Sequence, residues 1–293
     1  LQWKDGLKAA EAAFREAEEI YSEPGFDERA NNWKLEDESD EGDKIYSRYI
    51  KYGKMISVKT ELPMSPRDCI NETWNGVGNL PVWNPNIAFA KYIAKPTDYV
   101  DVVSYGTEKV LIVSARDFVN CRLYRPIAGG GYLLVSRSFK TADLPEVDGI
   151  VRGELHVASV RFRQHPTIPD RSLVDVLMCL DLKGMLPKFS VNMLLPKLAM
   201  IDTLENRKHF EHLGEEKKKK SESDDDDDEI KTGQRPVGIA HRFVSMTARS
   251  NGDSMAAAPN KKVNFGAGPA KIPEPVMEKA QRERRLLARE LRR

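Results

Sequence analysis

The sequence predicts an α+β protein: a curved antiparallel sheet with a long helix laid against it, and a polar tail behind. Three observations carry the prediction. Stretches with strand-like alternation outnumber helical stretches and follow one another directly along the chain. After the last of them, Val191, Leu194, Leu195, Leu198, Ile201 and Leu204 recur at three-to-four spacing, the stripe of an amphipathic helix. From Gly214 the composition changes to blocks of like charge, Lys217 to Lys220 and Asp224 to Asp228, which repel rather than pack.

Residues 1–31 read as helical, with Leu7, Ala10, Phe14, Ala17 and Tyr21 on one face and Ser22 to Gly25 ending the helix proper. Trp33 to Glu36 opens the next segment, before the acidic turn Asp37 to Asp43. Ile45 to Ile50 and Met55 to Leu62 alternate around Tyr52-Gly53-Lys54, a hairpin or meander. Ser65 followed by Pro66 has the chemistry of a helix start, cap then first-turn proline, and the helix runs to about Asn75. Gly76 to Asn86 reads as loop. Strands follow at Ile87 to Ile93, Tyr99 to Tyr105, Phe118 to Tyr124 and Tyr132 to Phe139. The segment Ala128 to Gly131 is a turn, not a dinucleotide fingerprint. A proline-bearing loop, Thr141 to Gly149, leads to the strands Ile150 to Arg161 and Ser172 to Leu182. The last helix opens at Leu186 and runs to about Leu213, with Pro196 inside it as an expected kink.

Composition narrows the function classes. With 46 Lys and Arg against 45 Asp and Glu, the net charge of +1 gives no general case for nucleic acid. No apolar run approaches the ~18 residues of a membrane span. The three cysteines, Cys69, Cys121 and Cys179, are odd in number and far apart, which fits reduced thiols. In such a compartment the sequon Asn71-Glu72-Thr73 goes unused. The chain opens on Leu1 rather than Met, which leaves room for a targeting or anchoring segment ahead of it.

Catalytic motifs are missing: there is no nucleophile elbow, phosphate-binding loop or HExxH. His209 and His212 lack a third ligand at useful spacing and read as a solvated helix end. Arg116-Asp117 reads as a structural ion pair. The informative stretch is 109–124. Val110, Leu111, Ile112 and Val113 form an apolar run that suits either a core strand or a hydrophobic loop guarding a cavity mouth. On the strand that follows, Phe118, Asn120, Arg122 and Tyr124 share one face and Val119, Cys121 and Leu123 the other. An arginine among interior positions is costly unless paired. Arg122 therefore reads either as a salt bridge closing the sheet or as the polar anchor of a ligand cavity.

Ala115-Arg116-Asp117-Phe118-Val119-Asn120-Cys121-Arg122 resembles the signature of the START lipid-transfer domains. Val151-Arg152-Gly153-Glu154 and Leu180 to Lys188 match further motifs of that family in the right order. The resemblance covers about residues 1–213 and is nearest the sterol-carrier subgroup. It implies a helix-grip fold, in which the curved sheet wraps the C-terminal helix and one lipid lies in the tunnel between them. By this resemblance Val110, Leu111 and Ile112 belong to a loop at the tunnel mouth. The helix bearing Leu194, Leu198 and Ile201 is the lid. Val103, Phe118 and Asn120 line the tunnel, and Arg122 is the buried arginine whose acidic partner lies on the preceding strand, where Asp101 is the nearest acid. The implied function is sterol binding and transfer between membranes, without catalysis. The ligand would be the bound lipid, with no other cofactor or metal. The protein would act as a monomer in transient contact with membrane surfaces, on the cytoplasmic side, at endosomal or mitochondrial membranes if an anchor or targeting segment precedes Leu1. A phospholipid binder or a lipid sensor of the same fold is the alternative.

A second resemblance lies in the tail. Val263 to Pro273, with Met255 placed as an initiator, is similar to the amino-terminal start of phosphoserine aminotransferase. The pyridoxal-phosphate lysine and the rest of that enzyme are absent from this sequence, so an incomplete aminotransferase chain is the reading from another class. The expected organisation is a lipid-binding domain over 1–213, a charged disordered linker over 214–254 and a truncated aminotransferase-like fragment over 255–293 that does not fold alone. Its end, Arg282 to Arg293, reads as a solvated basic tail.

Overall fold

The computed structural model describes residues 2–109, 113–185 and 188–231. The expected mouth residues Val110, Leu111 and Ile112, and the aminotransferase-like stretch, lie outside the described residues.

Helix α1 spans Lys4–Tyr21. Its buried face, Gly6, Ala10, Ala13, Phe14, Ala17, Ile20 and Tyr21, is mostly small, so the helix lies close on the sheet. A Cβ on Gly6 would come within 3.1 Å of the Phe139 ring and 3.2 Å of Cys121. The helix ends at Tyr21; residues 22–29 form turns, with Gly25 at a φ of +76°.

The strands are β1 (Lys34–Glu38), β2 (Lys44–Ile50), β3 (Gly53–Leu62), β4 (Ile87–Thr97), β5 (Val100–Thr107), β6 (Arg116–Ile127), β7 (Gly131–Ser138), β8 (Val151–Arg152), β9 (Glu154–Gln164) and β10 (Ser172–Asp181). They form one sheet in the order β1-β2-β3-β10-β9-β7-β6-β5-β4, antiparallel throughout, with short β8 added parallel to the start of β6. The chain runs inward from both edges, β1 to β3 and then β4 to β10, and the two runs meet where β3 pairs with β10. The expected strand Ile150 to Arg161 is thus two strands, broken at Gly153. A Cβ there would overlap the Phe118 ring.

Helix α2 (Pro66–Asn75) starts as its sequence predicts, with the Ser65 side chain accepting from the Asp68 amide and Pro66 in the first turn. The region expected as loop holds a short helix, α3 (Leu80–Trp83). Helix α4 spans Lys188–Lys231, continuous through Pro196 and past the expected end at Leu213. Residues 214–231, expected as linker, are helical. Glu and Lys have high helix propensity, and Lys217 Nζ reaches Asp68 of α2 at 2.6 Å.

The sheet is covered on both faces. On the outer face α1 packs with Met55, Val102, Cys121, Leu123, Leu133, Val135, Val157, Leu177 and Cys179. On the inner face Leu195, Ala199 and Met200 of α4 pack on Ile45, Ile56 and Val58. Further along, Phe210 joins Cys69, Ile70 and Trp74 of α2 over Leu134, Phe162 and Val174. Polar ties fix α4 in place. Arg207 pairs with Asp43 and lies 3.1 Å from Thr60 Oγ1. His209 stacks on Trp83 with ring centroids 4.3 Å apart, and its Nε2 lies 2.8 Å from Glu72. His209 is therefore a packing residue rather than a solvated one.

Candidate functional site

The face alternation expected for β6 is observed, and both of its faces are buried. Cys121 and Leu123 meet α1 outside; Phe118, Asn120 and Arg122 point inward. Register then supplies each with a neighbour on β5: Arg122 faces Asp101, Asn120 faces Val103 and Phe118 faces Tyr105. All three β5 residues share the inner face because strand side chains alternate with a period of two.

Asp101 is the acidic partner of Arg122. Nε donates to Oδ1 at 2.8 Å and Nη2 to Oδ2 at 2.6 Å, a bidentate pair with side-chain exposures of 7% and 1%. The guanidinium also donates to two carbonyls at the end of α2, Thr73 O at 3.1 Å and Trp74 O at 2.8 Å. The Trp74 ring lies 4.5 Å from its carbon. The negative end of α2 and a carboxylate thus hold this arginine together. These contacts occupy four of its five N–H donors, as the salt-bridge reading of Arg122 expects.

Asn120 is different. It is fully buried. Ser138 Oγ donates to its Oδ1 at 2.7 Å, while Ser138 Oγ itself accepts the Leu155 amide at 2.9 Å. The Nδ2 group has no hydrogen-bond partner. Two further groups come close by. Tyr105 stacks on Phe118 with centroids 5.2 Å apart. Burial pushes its phenol up to about 12, against the lowering influence of the Asn120 amide, with Asp202 raising it further. Asp202 comes from α4 and accepts from Asn84 Nδ2 at 2.6 Å. Desolvation raises its pKa above the ordinary value. Yet Asp202 is exposed and Tyr105 half-exposed.

Of the other expected site residues, Val103, Phe118 and Leu194 are buried and Leu198 is half-buried. Ile201 is 43% exposed and belongs to no buried cluster. Sequence reasoning missed Tyr105 and Asp202. Tyr105 was legible as the next inward position after Val103. Asp202 was legible as an acid one turn after Leu198, inside an otherwise apolar stripe.

The motifs that are distant in sequence converge. Arg116 and Asp117 do not pair with each other, as adjacent strand residues point to opposite faces. Asp117 pairs with Arg152 at 2.9 and 2.8 Å. Arg116 donates to Leu182 O at 2.9 Å and Lys183 O at 3.3 Å, and also bonds Ser114. Gly184, at a φ of +74°, lies against the Arg116 guanidinium. One knot thus fastens the start of β6, the β8 to β9 break and the run into α4. Among the described residues no His, Cys, Asp and Glu group could hold a metal.

A long helix held on the inner face of a sheet that also carries a buried ion pair and a buried amide defines the helix-grip class. The chain belongs to the START domain family, whose model matches residues 11–216. START domains bind and transfer lipid. The Steroidogenic acute regulatory-like protein 1 of Caenorhabditis elegans is 41% identical over 213 residues, covering 72% of this chain and 82% of the relative. The mitochondrial steroidogenic acute regulatory protein of Danio rerio is 28% identical over 199 residues, covering 64% and 69%. Among solved structures, human StAR-related lipid transfer protein 5 superposes with a TM-score of 0.62 at 19% identity, over 72% of this chain and 99% of that one. At that identity the likeness concerns fold alone.

Proposed function

We propose that the chain binds one sterol between α4 and the inner face of the sheet and carries it between membranes. The observation that carries the reading is the charge state of that face. Arg122 and Asp101 neutralise each other, leaving no spare cation there for a phosphate. The inward groups beside them on β5 and β6 are apolar, Val103 and Phe118, or neutral, Asn120 and Tyr105. Such a lining suits a large apolar ligand with one uncharged polar end. The 41% identity to a steroidogenic acute regulatory-like protein supports the same ligand class. The driving force is apolar burial, about 2.5 kcal/mol for each ~100 Å² removed from water.

Uptake and release require α4 to move from the sheet. Pro196 leaves α4 one backbone donor short near its start. Met185, Phe189 and Met193, at and before the first turns of α4, are exposed, Met185 fully and Phe189 by 75%. They form the natural contact with a bilayer, on the cytoplasmic side. Among the described residues no helix is long and apolar enough to cross a membrane. Relatives from Danio rerio and Homo sapiens have "mitochondrial" in their names, so mitochondria-like vesicles are the acceptor to test.

The test is transfer of a fluorescent sterol from donor to acceptor vesicles, beside a fluorescent phosphatidylcholine. Sterol transfer that is saturable, with little phospholipid movement, is the expected result. Phospholipid transfer without sterol transfer rejects the ligand; tight sterol binding without transfer makes the domain a sensor.

A further inference from the structure

We propose that the ligand's single polar oxygen docks on Asn120 Nδ2, between Tyr105 and Asp202, and not on Arg122. This rests on the sterol-carrier reading and specifies how the ligand is held. Arg122 is already engaged with Asp101 and with the Thr73 and Trp74 carbonyls. Four of its five N–H donors are taken, so a ligand oxygen meets at most one Nη1 hydrogen there, and winning any other donor means breaking the desolvated pair or a carbonyl contact. Asn120 offers the opposite situation. Its amide is completely buried and its Nδ2 makes no hydrogen bond of normal geometry, a state that native interiors avoid, although the Tyr105 phenol lies near enough to feel it. The orientation of the amide follows from Ser138, whose hydroxyl accepts from the Leu155 amide and donates its proton to Asn120 Oδ1. That leaves Nδ2 facing away from Ser138.

The neighbours specify the oxygen. Nδ2 is a donor, so it takes a hydroxyl or carbonyl oxygen. Asp202 and Tyr105 add oxygen atoms that can accept a proton in a hydrogen bond, and both retain open surface. A hydroxyl donates as well as accepts, and so satisfies both sides. A ketone or a methyl ether satisfies Nδ2 alone. A phosphate would bring negative charge beside Asp202 with Arg122 already neutralised.

The experiment uses the full chain, a fluorescent sterol with a free 3-hydroxyl, and the 3-methyl ether of the same sterol. Asn120→Ala is expected to weaken sterol binding ~5–10-fold, as for one neutral hydrogen bond. The preference for sterol over ether is expected to shrink in Asp202→Asn. A second readout needs no stable variant. Asparagine-labelled wild-type protein is followed by NMR, and the Asn120 side-chain amide signal is identified by its loss in Asn120→Asp. Sterol is expected to shift that signal downfield. Wild-type protein that binds sterol with the Asn120 signal unmoved, or an Asn120→Ala protein that melts normally and binds with unchanged affinity, overturns the contact alone. Wild-type protein that takes up no sterol overturns the sterol reading, and this contact with it.

Discussion

Replacing Asp101 by Asn removes one charge from a pair that water does not reach and leaves Arg122 a buried, uncompensated cation. Breaking a buried pair from one side costs ~3–5 kcal/mol. The lower end applies here, because Arg122 keeps the Thr73 and Trp74 carbonyls at 3.1 and 2.8 Å and the Trp74 ring. At roughly 2–4 °C per kcal/mol for a domain of this size, a loss of about 3 kcal/mol lowers Tm by about 6–12 °C. Adding Arg122→Met to Asp101→Asn removes the stranded charge. The double variant is expected to recover at least half of the loss, the remainder reflecting the orphaned Thr73 carbonyl at about 1 kcal/mol. Thermal and urea melts of the four proteins of this cycle measure the coupling directly. The reasoning is refuted if Asp101→Asn costs under ~1 kcal/mol, the range of an exposed pair. It is equally refuted if the double variant loses the sum of the two single losses. Sterol binding by the double variant then separates the roles, since the pair is assigned to holding α2 on the sheet and Asn120 to the ligand.

Other perturbations test other parts of the fold. Asp202 holds its proton more tightly folded than unfolded, so its contribution to stability is present below the unfolded value of ~3.9 and lost as pH climbs toward the folded value. Asp202→Asn, which does not titrate, should therefore gain in Tm relative to wild type as melts move from acid to neutral pH; a constant difference contradicts this. Asp175 has the opposite sign. Burial opposes its ionisation, yet Arg161, Arg29 and Arg163 hold its pKa below the usual range. Its contribution is present above ~3.9 and lost as pH falls through the folded value. Asp175→Asn should cost ~3–5 kcal/mol in neutral urea melts, since Arg29 is fully buried against it. Gly153→Ala forces a methyl into the Phe118 ring and should cost ~1–3 kcal/mol by the same assay.

Much of the fold was legible because it rests on local periodicity. The α2 start needs only Ser65 and Pro66, and β3 and β10 announce themselves by alternation. Boundaries set by long-range contact were not legible. The break at Gly153 exists because Phe118, far away in sequence, fills the space a side chain would need. Helix α4 runs past Leu213 where Gly214 and Lys217 meet residues of the α2 region. The Arg116-Asp117 pair was misread for the same reason: its partners, Arg152, Leu182 and Lys183, are brought there only by folding.

The sequence by itself determined the α+β class, the inward set Phe118, Asn120 and Arg122, and the apolar stripe of the last helix, because side-chain direction on a strand or helix is a matter of counting. It also determined the family, through motifs whose order survives without coordinates. Only the tertiary structure decided what each inward group does. Register set Asp101 opposite Arg122, which a slip of one residue would have turned away. Packing of α2 on the sheet brought the two carbonyls that complete the arginine's bonding. Placement of α4 brought Asp202, from a distant part of the chain, within electrostatic reach of the Tyr105 phenol. Hydrogen-bond partnership is a property of three-dimensional neighbours, so no pattern along the chain could show that Asp101 and two carbonyls engage Arg122 while Ser138 engages only the oxygen of the Asn120 amide.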